Sequence, residues 1–82
     1  MMYIIISYDI SSNRRRDRVY NELKNYGRRV QYSVFECDLD QKQLNRLKER
    51  LGKEINKRSD SIRYYRLCSA CFEKMDAQGV KK

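Results

Sequence analysis

Eighty-two residues make one domain at most, and a chain this short buries only about 60 to 65% of the surface its unfolded form exposes, so a second copy is an expected part of the structure. Lys and Arg number 19 against 11 Asp and Glu, a net charge of +8 that points to an anionic partner. The chain has no His, which excludes Ser-His-Asp and Cys-His nucleophilic sites, His-bearing zinc sites and histidine acid-base pairs.

Residues 3–8 (Tyr-Ile-Ile-Ile-Ser-Tyr) are β-branched and aromatic without strict alternation, which predicts a strand covered on both faces and ending at Asp9. Ser11, Ser12 and Asn13 are capping residues. Behind them Val19, Leu23 and Tyr26 recur at helical spacing, and Gly27 supplies a stop, so a first helix is expected in between. Residues 29–37 alternate, Val30, Tyr32 and Val34 against Gln31, Ser33, Phe35 and Cys37, the period of a strand. Asp40 with Gln43 makes a capping box for a second helix carrying Leu44, Leu47, Leu51 and Ile55 on one face. After the turn-like Ser59-Asp60-Ser61, residues 62–67 form a further strand, and residues 74–78 read as a weaker one before the tail, 75–82 being a short C-terminal strand and tail at most. No repeat, linker or proline divides residues 1–82, so the expectation is a single domain.

That order fits an α+β ferredoxin-like sandwich or a small doubly wound sheet. Only two helices are available and they cover one face of the sheet, so a second copy is expected on the other. No run of 18 apolar residues exists, and residues 1–10 lack the basic start and small-residue cleavage site of a signal peptide, so a cytoplasmic protein without membrane contact is expected. The odd set Cys37, Cys68 and Cys71 agrees with a reducing compartment. Cys68 and Cys71 have metal-hairpin spacing, but zinc asks for four ligands and one chain offers neither a second pair nor a His, so strand-end packing is favoured.

Asp9 is the most informative residue: a carboxylate directly after an apolar strand faces a loop and a helix start, either as a turn cap or as a functional acid. Magnesium keeps several waters and often takes only one or two carboxylates, so two Asp9 residues across a dimer axis suffice for it. Arg14, Arg15, Arg16 and Arg18 open the first helix, where cations oppose the helix dipole by about 0.3 to 1 kcal/mol each, which suggests an external anion. Residues 41–82 hold twelve basic and five acidic residues against seven and six before them, so the second helix and its surroundings, with Lys48, Arg50, Lys53 and Lys57, form the stronger surface for duplex phosphates. The seven Tyr residues offer rings for base stacking, but most fall on core-type positions, where packing is the better reading.

Tyr8-Asp9-Ile10 closing the first strand, the Arg-rich helix start through Arg18-Val19, and the run Gly27-Arg28-Arg29-Val30-Gln31-Tyr32-Ser33-Val34-Phe35-Glu36-Cys37 together resemble the Cas-two (Cas2) family of CRISPR-associated proteins over residues 3–68. Residues 29–35 are the specific part. The resemblance implies a ferredoxin-like βαββαβ fold, two helices on one face of an antiparallel sheet, and a homodimer through the other face with two strand-one Asp residues near its axis. It implies Mg2+ as cofactor, Asp9 as catalytic metal ligand, Tyr8, Arg16, Arg18 and Arg29 as supporting nucleic-acid contacts, and Ser33 with Phe35 on the dimer side. Many relatives continue into a strand that crosses to the partner; here the chain reaches Lys82 soon after Gly79, so that exchange is expected to be short or absent.

Two functions follow from the resemblance. One is an endonuclease of the spacer-acquisition machinery that hydrolyses phosphodiester bonds of RNA or DNA with magnesium. The alternative is a non-catalytic dimeric adaptor that binds duplex DNA and bridges the Cas-one (Cas1) integrase. Composition also leaves open a basic, toxin-like RNA-cleaving protein of similar fold.

Overall fold

The computed structural model describes residues 2–67, which form β1 (Met2–Asp9), α1 (Asn13–Leu23), β2 (Gly27–Gln31), β3 (Val34–Leu39), α2 (Gln41–Glu54) and β4 (Ser61–Leu67). The strands make one antiparallel sheet in the order β2-β3-β1-β4, so β1 is paired on both edges, Ile6 standing between Phe35 and Tyr64. This is the expected βαββαβ arrangement with its two helices on one face. The predicted strand at 74–78 and the Cys68–Cys71 pair lie outside the described residues. Among the described residues no helix is long and apolar enough to cross a membrane.

One core joins helices and sheet. Ile4, Ile6 and Tyr8 of β1 and Phe35, Cys37 and Leu39 of β3 point to the same side and pack under Val19 and Leu23 of α1 and Leu44, Leu47 and Leu51 of α2. Both caps are where the side chains predict them: Ser12 accepts from the Arg15 N–H, and Asp40 and Gln43 exchange reciprocal hydrogen bonds of 2.7 and 2.9 Å. Ile55 ends α2 and packs against the core, as its spacing after Leu51 implies.

Three expectations are corrected. The strand predicted over 29–37 is a hairpin, β2 and β3 folding back on each other through Tyr32 and Ser33. These two residues lack the Asn-Gly type of signal that marks most two-residue turns, so the alternation runs through the turn unbroken. A register shift between Arg29 and Gln31 accommodates it. Second, β1 is not covered on both faces of one protomer: Ile4 and Ile6 are fully buried and Tyr8 nearly so, while Tyr3, Ile5 and Ser7 are half-buried and Asp9 is exposed. Three consecutive isoleucines hide that alternation in the sequence.

Third, Gly27 does not stop a helix. The first helix ends at Leu23, and Gly27 is the first residue of β2, opposite Cys37. A Cβ placed there would collide with the Glu36 carbonyl oxygen and come within 2.5 Å of Cys37 Sγ and 3.0 Å of its Cα. The glycine is needed for close backbone approach. Gly27→Ala is therefore expected to cost about 1 to 3 kcal/mol by prying β2 from β3, to be read from the urea midpoint; a midpoint equal to wild type would show that the hairpin can shift to make room.

Candidate functional site

The face of the sheet that the helices leave open carries the odd-numbered residues of β1. Asp9 stands at its end, two residues after Ser7 on the same side, and β4 brings Ser61 opposite Asp9 and Arg63 opposite Ser7. These four residues line one cleft of about 270 Å³. The Asp9 carboxylate accepts no hydrogen bond among the described residues, and the helix cap is Ser12, so the turn-cap role is not the one it plays. Oxygen donors of this kind suit a hard cation. A single chain supplies one carboxylate, and no group of three or more metal-binding side chains exists among the described residues, so any ion held here is held mainly by water or by two chains.

Consecutive residues on a strand point to opposite faces, and the motif is divided accordingly. Tyr8 faces the helix side, where it lines a second cleft of about 210 Å³ with Arg16, Asp17, Tyr20, Arg29 and Tyr32. Arg16 and Arg29 thus belong with Tyr8, away from Asp9. Arg16 is anchored by Asn13 Oδ1 at 2.6 Å and the Ile10 carbonyl at 3.0 Å, and Arg29 lies 5.2 Å from the Tyr20 ring centroid. Arg18 is exposed on the outer side of α1.

The arginines of the first turn do not all await an external anion. Arg15 donates from Nε to Asp60 at 2.7 Å, and the same buried carboxylate accepts from Ser11, Asn56 and Ser59. Arg15 is therefore a structural clamp. The other expected cations lie on or just after α2: Lys48 sits 5.1 Å from the Tyr64 ring centroid and Arg50 reaches Glu22 at 3.4 Å, while Lys53 and Lys57 are exposed. They form a basic outer surface on the helix layer, separate from both clefts.

Phe35 is not an interface residue. It is fully buried in the protomer's own core, 6.3 Å from the Tyr8 ring and 5.7 Å from the Tyr20 ring between centroids. Ser33 sits in the hairpin turn, its carbonyl accepting from Tyr8 N–H at 3.1 Å. The turn sets the register of β3 so that Val34, Glu36 and Asp38, not Phe35, share the open face with Tyr3, Ile5 and Ser7. There Tyr3 donates to Glu36, which also pairs with Arg28 at 2.7 Å. Burial, and then the Glu36 hydrogen bond, push the Tyr3 phenol up to about 12, while the Tyr3 hydrogen bond draws the Glu36 carboxyl down.

Sequence reasoning missed Ser7, Ser61 and Arg63. The i, i+2 relation of Ser7 to Asp9 was available, but the β4 residues needed a register. Asp60 was visible only as a turn residue.

The model of the family described as CRISPR associated protein Cas2 matches residues 2–75. The chain belongs to the Cas2 family. It is 42% identical over 79 residues to the CRISPR-associated endoribonuclease Cas2 3 of Synechocystis sp., covering 96% of this chain and 86% of that one. To the CRISPR-associated endonuclease Cas2 of Halalkalibacterium halodurans it is 39% identical over 85 residues, with 98% and 88% covered. The crystal structure of Streptococcus pyogenes Cas2 superposes with a TM-score of 0.86 at 31% identity, covering 95% of this chain and all of that one. A Cas2-like fold also matches a chain in a partial Cas6-RT-Cas1–Cas2 complex, with a TM-score of 0.83, 25% identity, and 94% and 84% coverage.

Proposed function

We propose that this Cas2-family chain, folded as one domain, is an endonuclease of the CRISPR adaptation machinery that works as a homodimer and uses magnesium at Asp9 to hydrolyse RNA or DNA. The observation that carries the reading is an exposed carboxylate without structural duties, grouped with Ser7, Ser61 and Arg63 on the face the helices leave bare. Between the charged Glu36, Asp38 and Arg63, that face holds half-buried Tyr3, Ile5, Val34 and Leu67 and the 46% exposed Tyr65, apolar and aromatic side chains that a second copy would cover. Pairing two such faces gives the site its second acid. We place the protein in the reducing cytoplasm on its odd cysteine count.

Asp9 from each protomer would hold the ion, and Ser7 and Ser61 offer hydroxyls to its waters. Magnesium bound there supplies a more acidic water and a polarised phosphodiester. Arg63 presents a guanidinium to the non-bridging phosphate oxygens, where it balances charge that builds as the bond breaks. With no His in the chain, no side-chain imidazole moves the proton.

The likeness to a chain of a Cas1–Cas2 complex favours a second role beside the first, in which the dimer binds duplex DNA and bridges Cas1. Cleavage of labelled RNA and DNA with magnesium and with EDTA, alongside sedimentation, tests the reading. The expected result is a dimer with cleavage only in magnesium; a monomer of about 10 kDa at micromolar concentration overturns the shared site.

A further inference from the structure

The C-terminal halves of the two helices share a charge cluster away from both clefts. Arg18 and Glu22 stand one turn apart on α1, and Arg50 and Glu54 one turn apart on α2, so each helix brings a basic and an acidic side chain to the seam. Arg50 is engaged across that seam: its Nη1 donates to Glu22 Oε2 at 3.4 Å, and the Glu22 side chain is only 14% exposed. Glu54 is left over. Its Oε1 is buried and accepts no hydrogen bond among the described residues.

A carboxylate oxygen shut away from water without a donor is costly, and most costly when the group is ionised. Here a second carboxylate, Glu22, lies close enough to repel it, and the exposed Arg18 and the already engaged Arg50 offset the repulsion only in part. Burial first, then the Glu22 charge, push the Glu54 carboxyl above the ordinary glutamate value of about 4.3. A proton on Glu54 removes the repulsion and turns an acceptor without a partner into an O–H donor for Glu22. Hydrogen bonds from an acid to a carboxylate are among the short, strong ones.

We propose that Glu54 and Glu22 form a proton-operated latch between α1 and α2, closed when Glu54 holds a proton and hydrogen-bonds Glu22, and loosened when both carboxyls are ionised. The latch also sets the charge of the helix layer. Two arginines balance two glutamates when both acids are ionised, and one proton leaves the cluster at +1 on the layer that carries Lys48, Lys53 and Lys57. Acidification thus tightens the seam and makes that surface more cationic in one step. In the unfolded chain Glu54 titrates near the ordinary value of about 4.3, while the folded chain keeps the proton to higher pH. The ionised carboxyl therefore weakens the fold at neutral pH, and the loss disappears as pH falls to the unfolded value.

The test follows the Glu54 side-chain carboxyl by carbon NMR and the urea midpoint by fluorescence, between about pH 4 and 8, in the full chain and in Glu54→Gln and Glu22→Gln. Glutamine copies the protonated acid, being neutral and able to donate. Glu54→Gln is expected to raise the midpoint by about 0.3 M at neutral pH, with the gap closing towards about pH 4. In wild type Glu54 is expected to titrate above the ordinary value, and Glu22→Gln to bring it back towards that value. A Glu54 that titrates at or below the ordinary value overturns the proposal. So does a Glu54→Gln midpoint at or below wild type at neutral pH, which would make the ionised carboxyl a partner of Arg50 instead. A Glu54 titration left unmoved by Glu22→Gln would assign the shift to burial alone and remove the latch.

Discussion

Asp9→Asn is expected to leave fold and dimer intact and to lower magnesium-dependent cleavage by about a thousandfold or more. The substitution removes the charge a hard cation requires while keeping the side chain's size. It has little to disturb in the protomer, because the residue is exposed and its carboxylate accepts no hydrogen bond among the described residues. Its stability should stay within about 0.5 kcal/mol of wild type. Nuclease activity, melting temperature and duplex affinity measured on the same preparations separate the possible outcomes. Wild-type cleavage by the Asn variant would remove Asp9 from the site. A wild type that cleaves nothing in any divalent metal, while both proteins still bridge Cas1, would leave the adaptor role alone.

Replacing Asp60 should be the most damaging change outside the apolar core. Its side chain is fully buried, bonded to Arg15 Nε at 2.7 Å and Nη2 at 3.2 Å, to the backbone N–H of Asn56 at 2.9 Å and of Ser11 at 3.2 Å, and to the Ser11 and Ser59 hydroxyls. It ties the turn before β4 to the entry of α1. Asp60→Ala strands a partly buried guanidinium and two backbone donors, and the melting temperature is expected to fall by roughly 15 °C or more.

The Arg15 hydrogen bond, foremost among these contacts, holds the Asp60 carboxyl far below the usual aspartate range. The unfolded chain therefore takes up a proton near the ordinary value of about 3.9 while the folded chain does not. The stabilisation is complete above that value and drains away as pH falls below it. The gap in melting temperature between wild type and Asp60→Ala should accordingly be constant from neutral pH to about 5 and narrow below about 4. A gap that stays constant down to strongly acid pH would mean that the clamp works without the charge.

What was legible in the sequence is what local chemistry determines. The Asp40 and Gln43 side chains announce the second helix, and Leu44, Leu47 and Leu51 announce its buried face. Asp9 is marked by the apolar run that precedes it. Phe35 went wrong because the Tyr32-Ser33 turn leaves no trace in the alternation, so its face was assigned from one continuous strand where the chain folds back as a hairpin. Arg15 was misread because its partner is 45 residues away, and no local rule pairs a helix start with a distant turn. Ser61 and Arg63 joined the site only through the antiparallel register of β1 with β4.

The opposite facing of Tyr8 and Asp9 divides labour across the thickness of a single sheet. One peptide unit separates a wall lined by Tyr8, Arg16 and Arg29 from a wall that offers an acid, and the two side chains line different clefts. Lesions on the two walls share no partners and should combine independently. A lineage can therefore change the acid without disturbing the arginine-lined wall, or alter that wall without touching the acid. The two walls are, in this chain, neighbouring letters that can be edited one at a time.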